Sequence, residues 1–98
     1  MPETFSHFDA ADYLKTDEDI SAYLEASAES GDSATMASAL GAVARARNVS
    51  QLARDVGMTR EGIYKALAPD GNPAFATVAK IARALGYEMA FRPIETKT

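Results

Sequence analysis

The sequence has no cysteine and no tryptophan, and its one histidine is His7. Without thiols there are no disulfides and no thiolate metal sites, and a lone histidine cannot by itself assemble an imidazole metal cluster. No apolar run approaches the roughly 18 residues that a membrane-spanning helix needs. Met1, Pro2, Glu3 and Thr4 lack the basic start and apolar stretch of a signal peptide. Glycine-rich phosphate loops and serine elbows are missing as well. Asp17, Glu18 and Asp19 stand together as in a metal cluster, but their place in a first helical turn makes compensation of the helix dipole the better account. These absences predict a soluble cytoplasmic protein with no catalytic residue, metal or cofactor.

What is present suits one domain: 98 residues, 47% of them hydrophobic. The net charge of −4 hides a strong segregation. Residues 1–43 carry nine acids against Lys15 alone, whereas residues 44–92 carry eight lysines and arginines against four acids. Contact with a polyanion depends on the local field, because charges more than about 8 Å apart are largely screened at physiological salt. An acidic total therefore does not exclude nucleic-acid binding, and the split predicts two faces with different partners.

The most informative stretch is 50–67, which reads as two short helices joined by a three-residue turn, a helix-turn-helix. Ala53 is small enough for close helix approach, Gly57 suits the left-handed residue that ends the first helix, and Ile63 plugs the angle between the two. Leu52, Val56 and Leu67 complete the apolar ridge. Ser50 and Thr59 stand where N-caps are wanted. The second helix then leaves Arg60, Glu61, Tyr64 and Lys65 outward, a face suited to a DNA major groove, while Ser50 and Gln51 begin the first helix, where free amides can hold a phosphate. An ordinary helical hairpin with a solvated polar face also fits this pattern.

Around this centre, residues 1–15 read as a docked extended arm. Thr16 with Asp19 resembles a capping box that opens a helix over about 17–29, with Ile20, Tyr23, Leu24 and Ala28 on its apolar stripe. Asp32 or Ser33 caps a second helix with Met36, Ala37, Leu40, Val43 and Ala44 inward and Arg45 and Arg47 at its negative end. Asn48 is read as its left-handed stop. Residues 69–73 are dense in turn formers, and a closing helix over 74–86 places Phe75, Val78, Ile81, Ala82 and Leu85 on one face. Tyr87, Met89 and Phe91 alternate with polar or small residues over 87–92 as in a half-buried strand, before a tail at 93–98. The expectation is an all-α, five-helix, single-domain fold with one short C-terminal strand.

Four segments, FDAADYL at 8–14, ALGAVARAR at 39–47, TREGIYKAL at 59–67 and DGNPAFAT at 70–77, together resemble the probable addiction module antidote family. The resemblance spans almost the whole chain, and YKAL and DGNP are its most specific parts. It implies a phage-repressor-like antitoxin that represses its own operon and neutralises a RelE-like toxin. DNA contacts would come from Ser50, Gln51, Thr59, Arg60, Glu61, Tyr64 and Lys65, and a homodimer contact from Leu85, Tyr87, Met89 and Phe91. A basic toxin would meet the acidic N-terminal face, with Asp12, Asp17 and Glu18 attracting it and apolar anchors such as Phe8, Tyr13 or Tyr23 holding it. A stand-alone phage-type regulator without a toxin, and an interaction module that never meets DNA, are the alternatives.

Overall fold

In the computed structural model, which describes residues 9–95, a 3-10 turn, Ala10–Tyr13, precedes five α-helices. They are α1 (Asp17–Glu29), α2 (Ser33–Ala46), α3 (Val49–Val56), α4 (Arg60–Ala66) and α5 (Phe75–Ala84). Helix α2 is the centre. The 3-10 turn and each of the other four helices pack against it. It can accept neighbours on most of its circumference because its buried residues, Ala37, Ala39, Gly41, Ala42, Val43 and Ala44, are nearly all small. Small side chains let helix axes approach closely, so the bulk of the core comes from the partners: Ile20, Leu52, Val56, Ile63, Leu67, Ile81 and Leu85. Val43, Ile63 and Ile81 are the largest fully buried side chains, one each from α2, α4 and α5. Truncating such a residue to alanine costs about 2–5 kcal/mol.

The helix boundaries are set by local hydrogen bonding. Thr16 and Asp19 form a reciprocal capping box at the start of α1, and three carboxylates in its first turn face the positive end of the helix. Asp32, rather than Ser33, caps α2 by accepting the Thr35 N–H at 2.9 Å. Its carboxyl is held below the usual aspartate value by the Thr35 hydroxyl and then by the Thr35 amide. Helix α3 begins two residues earlier than the sequence pattern suggests. Asn48 is its N-cap, accepting the Gln51 N–H at 3.1 Å, and Ser50 lies inside the first turn. Asn48 is consequently not a left-handed stop: its φ is −87°, and α2 ends at Ala46 with Arg47 extended beyond it.

Two helices end alike. Gly57 (φ 73°) and Gly86 (φ 97°) are left-handed, a conformation that costs glycine least. The following residues turn back to donate: Met58 N–H to the Ala53 carbonyl and Tyr87 N–H to the Ala82 carbonyl, both at 2.9 Å. Both are Schellman closures, and Met58 and Tyr87 supply the hydrophobic contact by packing on the core.

That closure explains one departure from expectation. Tyr87 belongs to the C-terminal cap of α5, and no strand forms among the described residues; residues 87–95 are irregular. Residue alternation specifies a strand only if a partner takes up its backbone groups. Three smaller corrections follow. Residues 10–13 form a 3-10 turn in place of a fully extended arm, with Asp9 as its cap. Phe75 is 68% exposed, because the buried residues of the closing segment, Ile81, Ala82 and Leu85, all lie in its second half. Ala28 is likewise exposed.

The loop after α4 folds back under it. A β-carbon placed on Gly71 would lie 2.6 Å from the Ala66 carbonyl oxygen and 2.7 Å from that of Lys65, so only glycine fits. Gly71→Ala must displace backbone, and should lower stability by about 1–3 kcal/mol. Thermal unfolding measures this as a fall of several degrees in Tm; an unchanged Tm would contradict the close approach.

Candidate functional site

Helices α3 and α4 meet across Gly57, Met58 and Thr59. Leu52, Ala53 and Val56 on α3 and Ile63 on α4 are buried, which fixes the rotation of each helix and hence what each presents outward. Thr59 caps α4, its Oγ1 accepting the Gly62 N–H at 2.9 Å. That cap bears on the glycine inside α4. A β-carbon at position 62 would sit 3.1 Å from Thr59 Oγ1, so a side chain there requires the capping hydroxyl to give by a few tenths of an ångström.

The outward side of this pair carries Gln51, Arg54, Asp55, Arg60, Glu61 and Lys65, all exposed. Gln51 is held between its neighbours: its amide nitrogen donates to Asp55 Oδ1 and its oxygen accepts from Arg54, each at 2.8 Å. Ser50 is only half-buried. Tyr64 is 37% exposed and borders two surfaces. With Thr59, Arg60 and Glu61 it lines one shallow depression. With Ser38, Gly41, Arg45, Leu67, Ala68 and Pro69 it lines another. A third, of about 400 Å³, lies between Gly62, Lys65 and Ala66 of α4 and residues 70–73. The folding therefore brings Thr59, Arg60, Glu61, Tyr64 and Lys65 onto one short element.

The residues expected at the acidic face are distributed over two elements. Asp12 and Tyr13 are exposed on the 3-10 turn, Asp17 and Glu18 are exposed in the first turn of α1, and Tyr23 is half-buried against the core. Phe8 lies outside the described residues. Among the residues expected at a dimer contact, Leu85 belongs to the chain's own core. Tyr87 is half-buried, its hydroxyl sharing a 3.1 Å hydrogen bond with Ser21. Met89 and Phe91 are open, at 46% and 91% exposure.

Among the described residues two ion pairs join the acidic and basic halves of the chain, and the sequence pattern does not reveal either. Arg45 grips Asp9 with two nitrogens, Nε to Oδ2 at 3.2 Å and Nη2 to Oδ1 at 2.8 Å. Arg47 reaches Asp17 at 3.2 Å. The Arg45 guanidinium, followed by the Ala11 amide, holds the Asp9 carboxyl below the usual aspartate value, and Asp9 in turn raises Arg45. Because the folded value of Asp9 is depressed, the pair's stabilisation is full above the ordinary aspartate value of 3.8 and fades as the pH falls below it. Both groups are well exposed, so the contribution is small.

Among the described residues no cluster of His, Cys, Asp or Glu is arranged to hold a metal ion, and no helix is long and apolar enough to cross a membrane. A family model described as probable addiction module antidote protein matches residues 4–93. A protein of Haemophilus influenzae, itself described as uncharacterized, is 48% identical over 88 residues, which is 90% of this chain and 91% of that one. No solved structure matches the chain significantly.

Proposed function

The chain belongs to the probable addiction module antidote family, and on that premise we propose that it is the antitoxin of a type II toxin-antitoxin module. It binds operator DNA to repress its own operon and neutralises a basic, RelE-like toxin by direct contact. The observation that carries the DNA-binding part is the division of α4: Ile63 is fully buried while Arg60 and Glu61 stand exposed beside the capped N-terminus and Lys65 stands exposed in the last turn. A recognition helix needs that division, an apolar side that locks its rotation and a polar N-terminal side that reaches base edges. Here α3 and α4 act as a helix-turn-helix, with Arg60, Glu61, Tyr64 and Lys65 at the groove and Ser50, Gln51 and Thr59 near the phosphates.

So short a recognition helix reads few base pairs, so the protein binds as a two-fold dimer on half-sites about 34 Å apart. Met89 and Phe91, exposed on a segment whose backbone groups make no hydrogen bond among the described residues, supply the dimer contact. The toxin meets the acidic N-terminal side, where Asp12, Asp17 and Glu18 steer a basic partner and Tyr13 and Tyr23 anchor it.

Each part has its measurement. In gel shifts on the DNA upstream of its own coding region, the wild type forms a specific complex, and Arg60→Ala weakens it by about 1–3 kcal/mol if that side chain reads guanine. A wild type that does not distinguish this DNA from random duplex would favour a role confined to protein contacts. In sedimentation at micromolar concentration, Phe91→Asp shifts the dimer toward monomer; a wild type already monomeric would remove the dimer. For the toxin, Asp12→Asn combined with Asp17→Asn and Glu18→Gln should slow association about tenfold or more at low salt. An unchanged rate would move the toxin contact to the C-terminal segment.

A further inference from the structure

The Asp9–Arg45 pair links the acidic N-terminal side to the rim of α4. We propose that Arg45 is a phosphate-binding residue of the operator interface, masked in the free protein by the Asp9 carboxylate, which stands where a DNA phosphate binds. The inference rests on the reading of α3 and α4 as a DNA-binding unit and adds to it a residue and an intramolecular competitor.

Position is the first argument. Arg45 lies at the end of α2, but it lines the same depression as Tyr64, Leu67 and Pro69, so its charge sits at the edge of α4. Geometry is the second. A guanidinium presents two parallel N–H donors, and carboxylate and phosphate oxygens accept them in the same way; the two contacts to Asp9, at 3.2 and 2.8 Å, use that fork fully. Exchangeability is the third. Side chains 42% and 37% exposed are solvated enough for a competing anion to enter.

Asp9, for its part, is held independently of Arg45. Its Oδ1 caps the 3-10 turn by accepting the Ala11 N–H at 3.0 Å, and Leu14 beyond the turn is buried. The acid is thus held in place by local structure, and among the described residues Arg45 is the basic group that its charge reaches. The Arg47–Asp17 pair does not share these features. It has a single 3.2 Å contact, and Arg47 does not line the depression beside Tyr64.

Asp9→Asn tests this cleanly, because an asparagine oxygen can still accept the Ala11 amide and keep the turn while the charge is lost. The variant is compared with Arg45→Gln, with the double variant, and with Glu95→Gln, which removes the same charge from an exposed acid with no ion pair among the described residues. Circular dichroism melts confirm that each is folded.

On the operator duplex, Asp9→Asn should bind more tightly than both wild type and Glu95→Gln. Its salt dependence should steepen by about 0.9 in slope, so that roughly 3.5-fold more affinity is lost between about 50 and 200 mM salt. Adding Arg45→Gln should abolish the gain. Equal affinities and slopes for Asp9→Asn and Glu95→Gln would overturn the proposal, as would a gain that survives Arg45→Gln. If none of the folded proteins distinguishes operator from random duplex, the DNA-binding reading itself has failed and the masking role with it.

Discussion

Close packing around α2 is the constraint on which the remaining structure depends. Its alanines and its one glycine leave room for neighbours on most sides, and every other element uses that room. Because α2 contributes little volume, each partner must bring its own large residue to the shared interior. This dictates how the two short helices sit. Helices of 8 and 7 residues would be marginal on their own. They are stabilised by burying Leu52, Val56 and Ile63 against a central rod. The outward faces of α3 and α4 follow from that burial.

The division of charge has a different meaning in three dimensions than along the chain. Residues 1–43 and 44–92 carry opposite net charges, but ion pairs join the two halves in space. Asp9 and Asp17 return to Arg45 and Arg47, so part of the positive charge of the second half is neutralised by the first. Among the cations of α3 and α4, none of Arg54, Arg60 and Lys65 forms an ion pair with any described residue, and Arg54 donates to the Gln51 side chain. Arg54 stands next to Asp55 on α3, whereas α4 carries Arg60 and Lys65 against Glu61 alone, so the net positive charge of the proposed DNA-binding side lies on α4.

A functional reading can rest on this arrangement because rigidity and exposure coincide there. The Schellman closure at Gly57 and the Thr59 cap define both ends of a turn only three residues long, leaving little freedom between α3 and α4. The segment after Gly86 is the opposite case. Beyond Tyr87 it has no hydrogen-bonded partner among the described residues, and it exposes Met89, Phe91 and Ile94. One part of the molecule has its apolar groups buried within the chain, and the other leaves them exposed.

What the sequence alone determined was whatever depends on residues within about one helical turn of each other. The capping box at Thr16 and Asp19, the Thr59 cap, the left-handed Gly57 and the core residues Ile20, Ala37, Val43, Ala44, Leu52, Ala53 and Val56 were legible, as was the outward set on α4, because capping and periodicity act at separations of three and four. The exposed Ala28 and the buried Ala39, Gly41 and Ala42 were not. The start of α3 was local and still misread: Asn48 and Ser50 are both competent caps, and it is the packing of Val49 on the core that favours the earlier start. Only the tertiary structure decided the contacts between distant residues. Asp9 meets Arg45 across 36 positions and Tyr87 meets Ser21 across 66, and residue 71 must be glycine because a loop passes beneath the carbonyls of α4. The strand read at 87–92 failed for the same reason. A helix satisfies its hydrogen bonds within its own segment, whereas a strand depends on a partner that no pattern of alternating side chains can supply.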